Sequence, residues 1–229
     1  MTTPLKRAYF VRRNPALSAA EFPQRWKQHS QLGAQFPDLL ARHSRVLYCL
    51  ADHARGGAIG ASQAYDGVGL LFVSDAALID TAPMDPNVLP TMRADELRVF
   101  HQNVFNSAIV AKEHILKDGP DGKIGILSFT RRHDGVTREA LHAAFTQSGL
   151  AATVAYQRNI RKHIEGEVVG EPTIDFDAMT ELWFDSVDDA VATWNDSQFH
   201  AAWLAMQQPV VDATATMVFL TEVCHERKS

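Results

Sequence analysis

Residues Lys6 to Phe36 read KRAYFVRRNPALSAAEFPQRWKQHSQLGAQF, and this stretch sets the reading of the whole chain. Leu5 to Arg13 is apolar and aromatic enough for a strand. Asn14-Pro15 ends it, because proline fixes its own φ and cannot donate to a ladder. Ser18-Ala-Ala-Glu21 has the spacing of a capping box, in which the two side chains satisfy orphan amides at a helix start. Phe22, Trp26, His29 and Gly33 then recur at steps of three and four, so they share one face of a helix that Pro37 closes.

The same order returns later. With Phe10-Val-Arg-Arg13 laid over Phe129-Thr-Arg-Arg132, Ser18 falls on Thr137, Phe22 on Leu141, Trp26 on Phe145 and Gln28 on Gln147, without a gap. His29 falls on Ser148, which marks a divergence. Tyr65-Asp66 matches Phe176-Asp177, and Leu71-Phe72 matches Leu182-Trp183. An internal repeat changes the reading of a fold and is weighed first. Between the copies, Asp118-Gly-Pro-Asp-Gly122 clusters turn residues as a linker does.

The first half carries further strands expected at Ser44–Asp52, Tyr65–Val73 and Val104–Ile115, with short helices from Ser74 to Asp80 and from Ala94 to His101. In the second half, strands are expected at Ile124–Arg132, Asn159–Val169, Phe176–Phe184 and Thr214–Cys224. Helices are expected after Thr137, through Ala192, and over Gln198–Gln207. Each half therefore reads β-α-β-β-α-β, which builds a four-stranded antiparallel sheet with helices on one face, the ferredoxin-like unit of the α+β class. The apolar strands require a cover for the open face. Two halves in one chain, residues 1–117 and 123–229 joined by the linker 118–122, supply it by packing sheet to sheet.

The chain has 229 residues, 46% hydrophobic and 21% charged, with a formal net charge of −5. These are the proportions of an ordinary globular protein. Basic residues are scattered, so the counterion-releasing stripe that nucleic acid requires is missing. No apolar run approaches the length of a membrane span, and MTTPLKRAYFVRR lacks the apolar core of a secretory signal. Two cysteines make neither a disulfide framework nor a metal motif. A cytoplasmic location is the default expectation, without nucleic acid or membrane as partner.

The pieces Phe10-Val-Arg-Arg13, Ser18 to Glu21, Phe22, Trp26, His29 and Tyr65-Asp66-Gly67-Val68 resemble the EthD family of the dimeric α/β-barrel superfamily. In the second half the matching pieces are Phe129-Thr-Arg-Arg132, Thr137 to Phe145 and Phe176 to Phe184. The resemblance implies two tandem copies forming an internal dimeric α/β barrel. It also implies chemistry drawn from cofactor-free isomerases, cyclases, dehydratases, decarboxylases and monooxygenases, or from haem enzymes, on aromatic or polyketide-like substrates. The second half departs from the pattern at Ser148, so at most one half keeps a site built on that histidine.

Each candidate residue has a structural reading beside the chemical one. His29 titrates near neutrality and can give and take a proton; a half-buried histidine bonded to a carbonyl is the plainer alternative. Tyr65 could hold a phenol or enolate oxygen, and Phe176 at the matching position shows that the fold does not need its hydroxyl. Asp66 follows on the same strand. Arg12 could hold a substrate carboxylate, whereas a salt bridge to an internal acid such as Glu21, Asp66 or Glu181 is the more economical role for the arginine pairs. His43 and His163 align across the halves with one residue of gap, which fits a shared fold requirement as well as it fits binding. Asp177 and Glu181 share a strand face. Trp26 and Trp183 could line a pocket for a flat ligand or fill a core.

No phosphate loop, nucleophile elbow or zinc-spaced set appears, so neither a metal nor an organic cofactor is expected. The expectation is a lyase or isomerase acting by proton transfer (decarboxylation, dehydration or cyclisation) on a small hydrophobic aromatic substrate. His29, Tyr65 and Asp66 would be catalytic, and Arg12, Trp26, His43, His163 and Trp183 would bind substrate. The alternatives are a cofactor-free or haem-dependent monooxygenase and a non-catalytic aromatic-ligand carrier. A homodimer could form through strand edges that the two halves leave free.

Overall fold

The computed structural model describes residues 5–73, 85–147, 150, 153, 154, 157, 159–170 and 173–228. The helix expected over Ser74–Asp80, Pro83, Ser148 and Tyr156 lie outside the described residues. Strand β1 spans Leu5–Val11 and is followed by helices α1 (Phe22–Gly33) and α2 (Pro37–Arg42) and strand β2 (His43–Ala51). The short helix α3 (His53–Gly56) leads to β3 (Gly67–Val73), then α4 (Val88–Val99) and β4 (Ala108–Lys117). The second series is β5 (Ile124–Arg132), α5 (Arg138–Gln147), β6 (Lys162–Val169), β7 (Ala178–Phe184), α6 (Val187–Trp194), α7 (Ser197–Gln207) and β8 (Val211–Lys228).

The strands close into one antiparallel barrel in the order β1-β3-β2-β8-β5-β7-β6-β4. Within it, β4-β1-β3-β2 and β8-β5-β7-β6 are two sheets of the same ferredoxin-like order. They face each other across the interior and join edge to edge through β2·β8 and β4·β6. The fold class read from the sequence is the one observed. The closure removes the free strand edges expected to support a dimer, because every strand of the barrel is paired on both sides.

Local details differ where turn chemistry competes with strand propensity. Residues Val104–Ser107 form a 3-10 turn, so β4 begins at Ala108. Helix α4 starts at Val88, six residues before the expected position, and carries Pro90 in its first turn, where a missing N–H costs nothing. The capping box forms: the Ser18 amide donates to Glu21 Oε2 at 2.9 Å, and the Glu21 amide donates to Ser18 Oγ at 3.3 Å. The face of α1 read from its spacing is buried, at Phe22, Trp26, His29 and Gly33.

Strand alternation sends Lys6, Ala8 and Phe10 of β1 into the barrel and Arg7, Tyr9 and Val11 toward the helices. The interior is packed. Phe10, Phe129, Phe176 and Phe219 fill one end, with Phe10 and Phe129 edge to face at 4.5 Å between centroids. At the other end the fully buried Lys6 ammonium bridges Glu113 and Glu181, and the Trp183 indole donates to Glu181 at 3.1 Å. A space of about 40 Å³ remains there, bordered by Arg45, Lys162 and Trp183.

Candidate functional site

A larger cavity lies outside the barrel, between the first sheet and its own helices. It measures about 170 Å³. The first sheet contributes Arg7 and Tyr9 of β1, Val46 and Tyr48 of β2 and Leu71 of β3, and Arg227 comes from β8, the strand of the second sheet that pairs with β2. Helix α1 contributes His29, Ser30 and Gly33, while α4 contributes Leu89, Met92 and Glu96. His43, first residue of β2, closes one side.

The polar groups of this cavity converge. His29 is 6% exposed, and its Nδ1 lies 2.8 Å from Asp95 Oδ2 on α4. A carboxylate at Nδ1 selects the tautomer protonated there and leaves Nε2 as the proton acceptor. Trp26 is fully buried, stacked on Tyr48 at 4.4 Å, and its indole N–H donates to the Tyr9 hydroxyl at 3.3 Å. Burial raises the Tyr9 pKa well above 10. Burial also raises Tyr48 to about 12, with Ser30 and Tyr9 acting in the opposite direction. Both phenols therefore stay protonated at neutral pH and can donate to an anionic oxygen.

Burial, aided by Arg227, Arg7 and Arg42, lowers His43 to about 4 against the upward pull of its bond to the Leu39 carbonyl, so its ring is neutral at pH 7. Arg227 brings a guanidinium to the same wall. Its Nε and Nη1 are buried and have no hydrogen-bond partner among the described residues. Buried guanidinium donors without an acceptor are uncommon, and a planar carboxylate satisfies them.

The residues expected to form the site divide among three places. His29 and His43 line this cavity, and Trp26 lies behind it, against Tyr9 and Tyr48. Tyr65 lies at the aromatic end of the barrel against Phe10 and Phe219, with the Arg12 guanidinium 5.1 Å over its ring. Asp66 accepts from the Arg13 amide at 2.9 Å and pairs with the Arg13 guanidinium. Asp177 and Arg132 repeat this clamp at 3.0 and 2.7 Å. Arg12 Nε donates to the Ala64 carbonyl at 2.7 Å. These groups border shallow clefts at the barrel's end, away from His29. Trp183 faces the barrel interior beside Lys6.

His163 is fully buried in the second half, bonded to Glu165, which also accepts from Thr180 at 2.6 Å. The strand register pairs His163 with Leu182 as it pairs Val46 with Leu71. The counterpart of His163 is thus Val46 rather than His43, and the sequence alignment of the two histidines does not survive. Sequence reasoning passed over Asp95, Tyr9, Tyr48 and Arg227. Alternation along β1 could have placed Tyr9 with the helices, whereas Asp95 meets His29 only through the packing of α4 on α1.

Comparison with known proteins adds a partial family match and a fold. Residues 133–214 match the EthD domain. That span lies in the second half, whereas the cavity described above is lined by the first half together with Arg227. No curated protein sequence matches the chain. Among solved structures, a candidate monooxygenase from Fusobacterium nucleatum superposes with a TM-score of 0.64, covering 100% of this chain and 95% of that one at 6% identity. An anthrone oxidase-like protein gives 0.58, with 99% and 94% covered at 11% identity. A chlorite dismutase from Candidatus Nitrospira defluvii gives 0.55, with 98% and 94% covered at 10% identity. At such identities the likeness is one of fold. Among the described residues no helix is long and apolar enough to cross a membrane.

A haem does not fit the cavity. Sites for drug-sized ligands run to roughly 300–1,000 Å³, and a porphyrin exceeds such ligands, whereas this space is about 170 Å³.

Proposed function

We propose that the chain is an enzyme transferring a proton on a single-ring aromatic or enolisable acid held between the first sheet and α1. The observation that carries this reading is the convergence of the His29–Asp95 pair and the unpartnered Arg227 donors on one cavity. A cavity of roughly 150 Å³ admits a benzene ring, so the space suits one substituted ring rather than a polyketide. Leu71, Leu89 and Met92 would hold the ring, and Arg227 its carboxylate. His29 Nε2 would take a phenolic or α-carbon proton, and Asp95 would stabilise the resulting imidazolium. Tyr9 and Tyr48 would donate to the oxygen on which charge develops.

A carboxylate gripped by arginine is a handle more than a leaving group. Dehydration or isomerisation is therefore favoured over decarboxylation. Tyr65, Asp66, Arg12, His163 and Trp183 take no part in this scheme. An EthD copy in each half is also our proposal; it rests on the matching strand order and on the repeated Arg13–Asp66 and Arg132–Asp177 clamps.

A second reading shares the first step. The named activities of the neighbouring folds include oxidation, and an enolate or phenolate formed by His29 can pass electrons to O2. Dependence on oxygen separates the two. A panel of single-ring hydroxyaryl and β-keto acids in D2O, followed by mass spectrometry with and without air, tests both. Deuterium uptake or loss of water without oxygen, abolished in His29→Ala, supports the lyase or isomerase. Oxygen-dependent mass gain supports the oxygenase. Exchange undiminished by His29→Ala removes the role given to that histidine.

A further inference from the structure

We propose a divalent transition-metal site formed by His114, His142 and Glu167, on the outer face of the barrel where the two halves join. His114 lies on β4, Glu167 on β6 and His142 on α5. One ligand atom from each falls within 4.8 Å of the others. His114 Nε2 and Glu167 Oε2 are 3.4 Å apart, and the two imidazoles are 4.2 Å apart between centroids. Two ligands on one tetrahedral zinc at its usual bond lengths of about 2.0–2.1 Å are themselves about 3.4 Å apart. The His114–Glu167 separation already has that value, and a small rotation of His142 completes the set.

The chemistry of the donors selects the ion. Two neutral imidazoles and one carboxylate favour zinc, cobalt or ferrous iron over calcium or magnesium, which prefer all-oxygen shells. Three protein ligands leave a coordination position for water. His114 and Glu167 side chains are 27% and 30% exposed, so an ion can enter from solvent. Lys112, a cation that bears on His142, faces Glu167 across the β4·β6 pair and opposes the ion, and Glu167 offsets it.

The position gives the ion a structural consequence. Strand β4 belongs to the first sheet and β6 to the second, and their pairing is one of the two joins that close the barrel. A metal held by His114, Glu167 and His142 would clasp that join and tie it to α5. The site is separate from the first-half cavity and does not depend on the reaction proposed there.

The test is titration of the chelator-treated full chain with Co²⁺, read by visible d–d absorption, and then displacement with Zn²⁺. The expected result is one Co²⁺ per chain, a spectrum of low-coordinate N/O ligation, and a melting temperature raised by the metal. His114→Ala, His142→Ala and Glu167→Gln should each weaken binding by about 100-fold or more, above the 10- to 100-fold typical of losing an outer-shell partner. His29→Ala should leave uptake unchanged, which separates this site from the proposed catalytic one. Because these side chains are partly exposed, the variants should fold, and circular dichroism verifies it. No uptake at millimolar Co²⁺ overturns the proposal. So does uptake that persists in the His114→Ala/His142→Ala double variant, since the ion would then sit on other histidines of the ten in the chain.

Discussion

Replacing Lys6 by Met should expose how the barrel tolerates charge at its centre. The Lys6 ammonium is fully buried between Glu113 and Glu181. Burial alone would pull its pKa down, but the two carboxylates more than reverse that, so it stands above its ordinary value. Burial raises Glu181; Lys6 pulls it back, and Glu113 pushes it up again. Methionine fills nearly the same volume and removes the cation, leaving two acids that must be desolvated without a counter-charge. Breaking a buried pair on one side costs about 3–5 kcal/mol. For a chain of this size that corresponds to a loss of about 6–20 °C in melting temperature.

The pH dependence follows from the sign of the shift. A carboxyl whose folded pKa is raised binds its proton more readily in the folded state, so stability falls as pH rises from the ordinary Glu value, about 4.3, through the folded one. Without Lys6 that window widens, and the slope steepens by up to about 1.4 kcal/mol per pH unit for each extra proton held. Urea unfolding at pH 5, 6 and 7 should therefore show a Lys6→Met penalty that is largest at pH 7 and shrinks toward pH 5. The triple variant Lys6→Met/Glu113→Gln/Glu181→Gln should recover much of the loss. A penalty below about 1 kcal/mol that does not change with pH would refute the reasoning, since it would mean water reaches the triad.

Three further outcomes follow from the same geometry. Gly69→Ala places a Cβ within 2.2 Å of the Tyr9 ring, so it should cost about 1–3 kcal/mol by overpacking and also abolish aromatic ligand binding, as read by calorimetry. Trp26→Ala empties a fully buried site stacked on Tyr48 and should cost about 3–5 kcal/mol in denaturant unfolding. His43, lowered to about 4, stays neutral in the fold while the unfolded chain takes up a proton, so stability should fall as pH drops from 6.5 to 4. The effect is up to roughly 3 kcal/mol; an NMR titration of the His43 ring with a midpoint near 6.5 would contradict it.

Much of the architecture was legible because periodicity carries it. The capped helix with Phe22, Trp26, His29 and Gly33 on one face, and the repeat of strand-Arg-Arg and Asp-on-strand, forced two ferredoxin-like halves. The arginine clamps were legible as salt bridges: Arg13 does take Asp66. Tyr65 was read beside His29, but it precedes β3 and lies at the barrel's end against Phe10 and Phe219, and sequence alone does not say which end of a strand meets a helix. His43 was matched to His163 by counting residues across a loop, whereas register is fixed by hydrogen bonding, which sets His163 against Val46. The His114–His142–Glu167 cluster has no sequence spacing to betray it, since its three ligands come from three elements.

The pseudo-symmetry also explains why the cavity sits in one half. The register gives strand residues of the first half their counterparts in the second: glycines give way to larger residues, and the large polar side chains to smaller ones. Gly67 and Gly69 of β3 correspond to Ala178 and Thr180, Arg7 to Ile126, Tyr9 to Ser128 and Tyr48 to Glu165. Bare glycines let Trp26 and Tyr9 press against the first sheet: a Cβ at Gly67 would come within 2.7 Å of the Trp26 ring. Tyr9 and Tyr48 on this sheet then border the cavity together with His29. In the second half Thr180 holds Glu165 instead, and Leu141, Phe145, Trp194, Phe199 and Trp203 pack the helix layer into a core; the space between α5 and β6, lined by Leu141, Phe145 and Glu165, is about 10 Å³. Restoring a hollow should therefore take more than trimming one side chain. Thr180→Gly alone would leave Glu165 with one bond fewer in a buried setting, and it should destabilise the second half rather than open a ligand site.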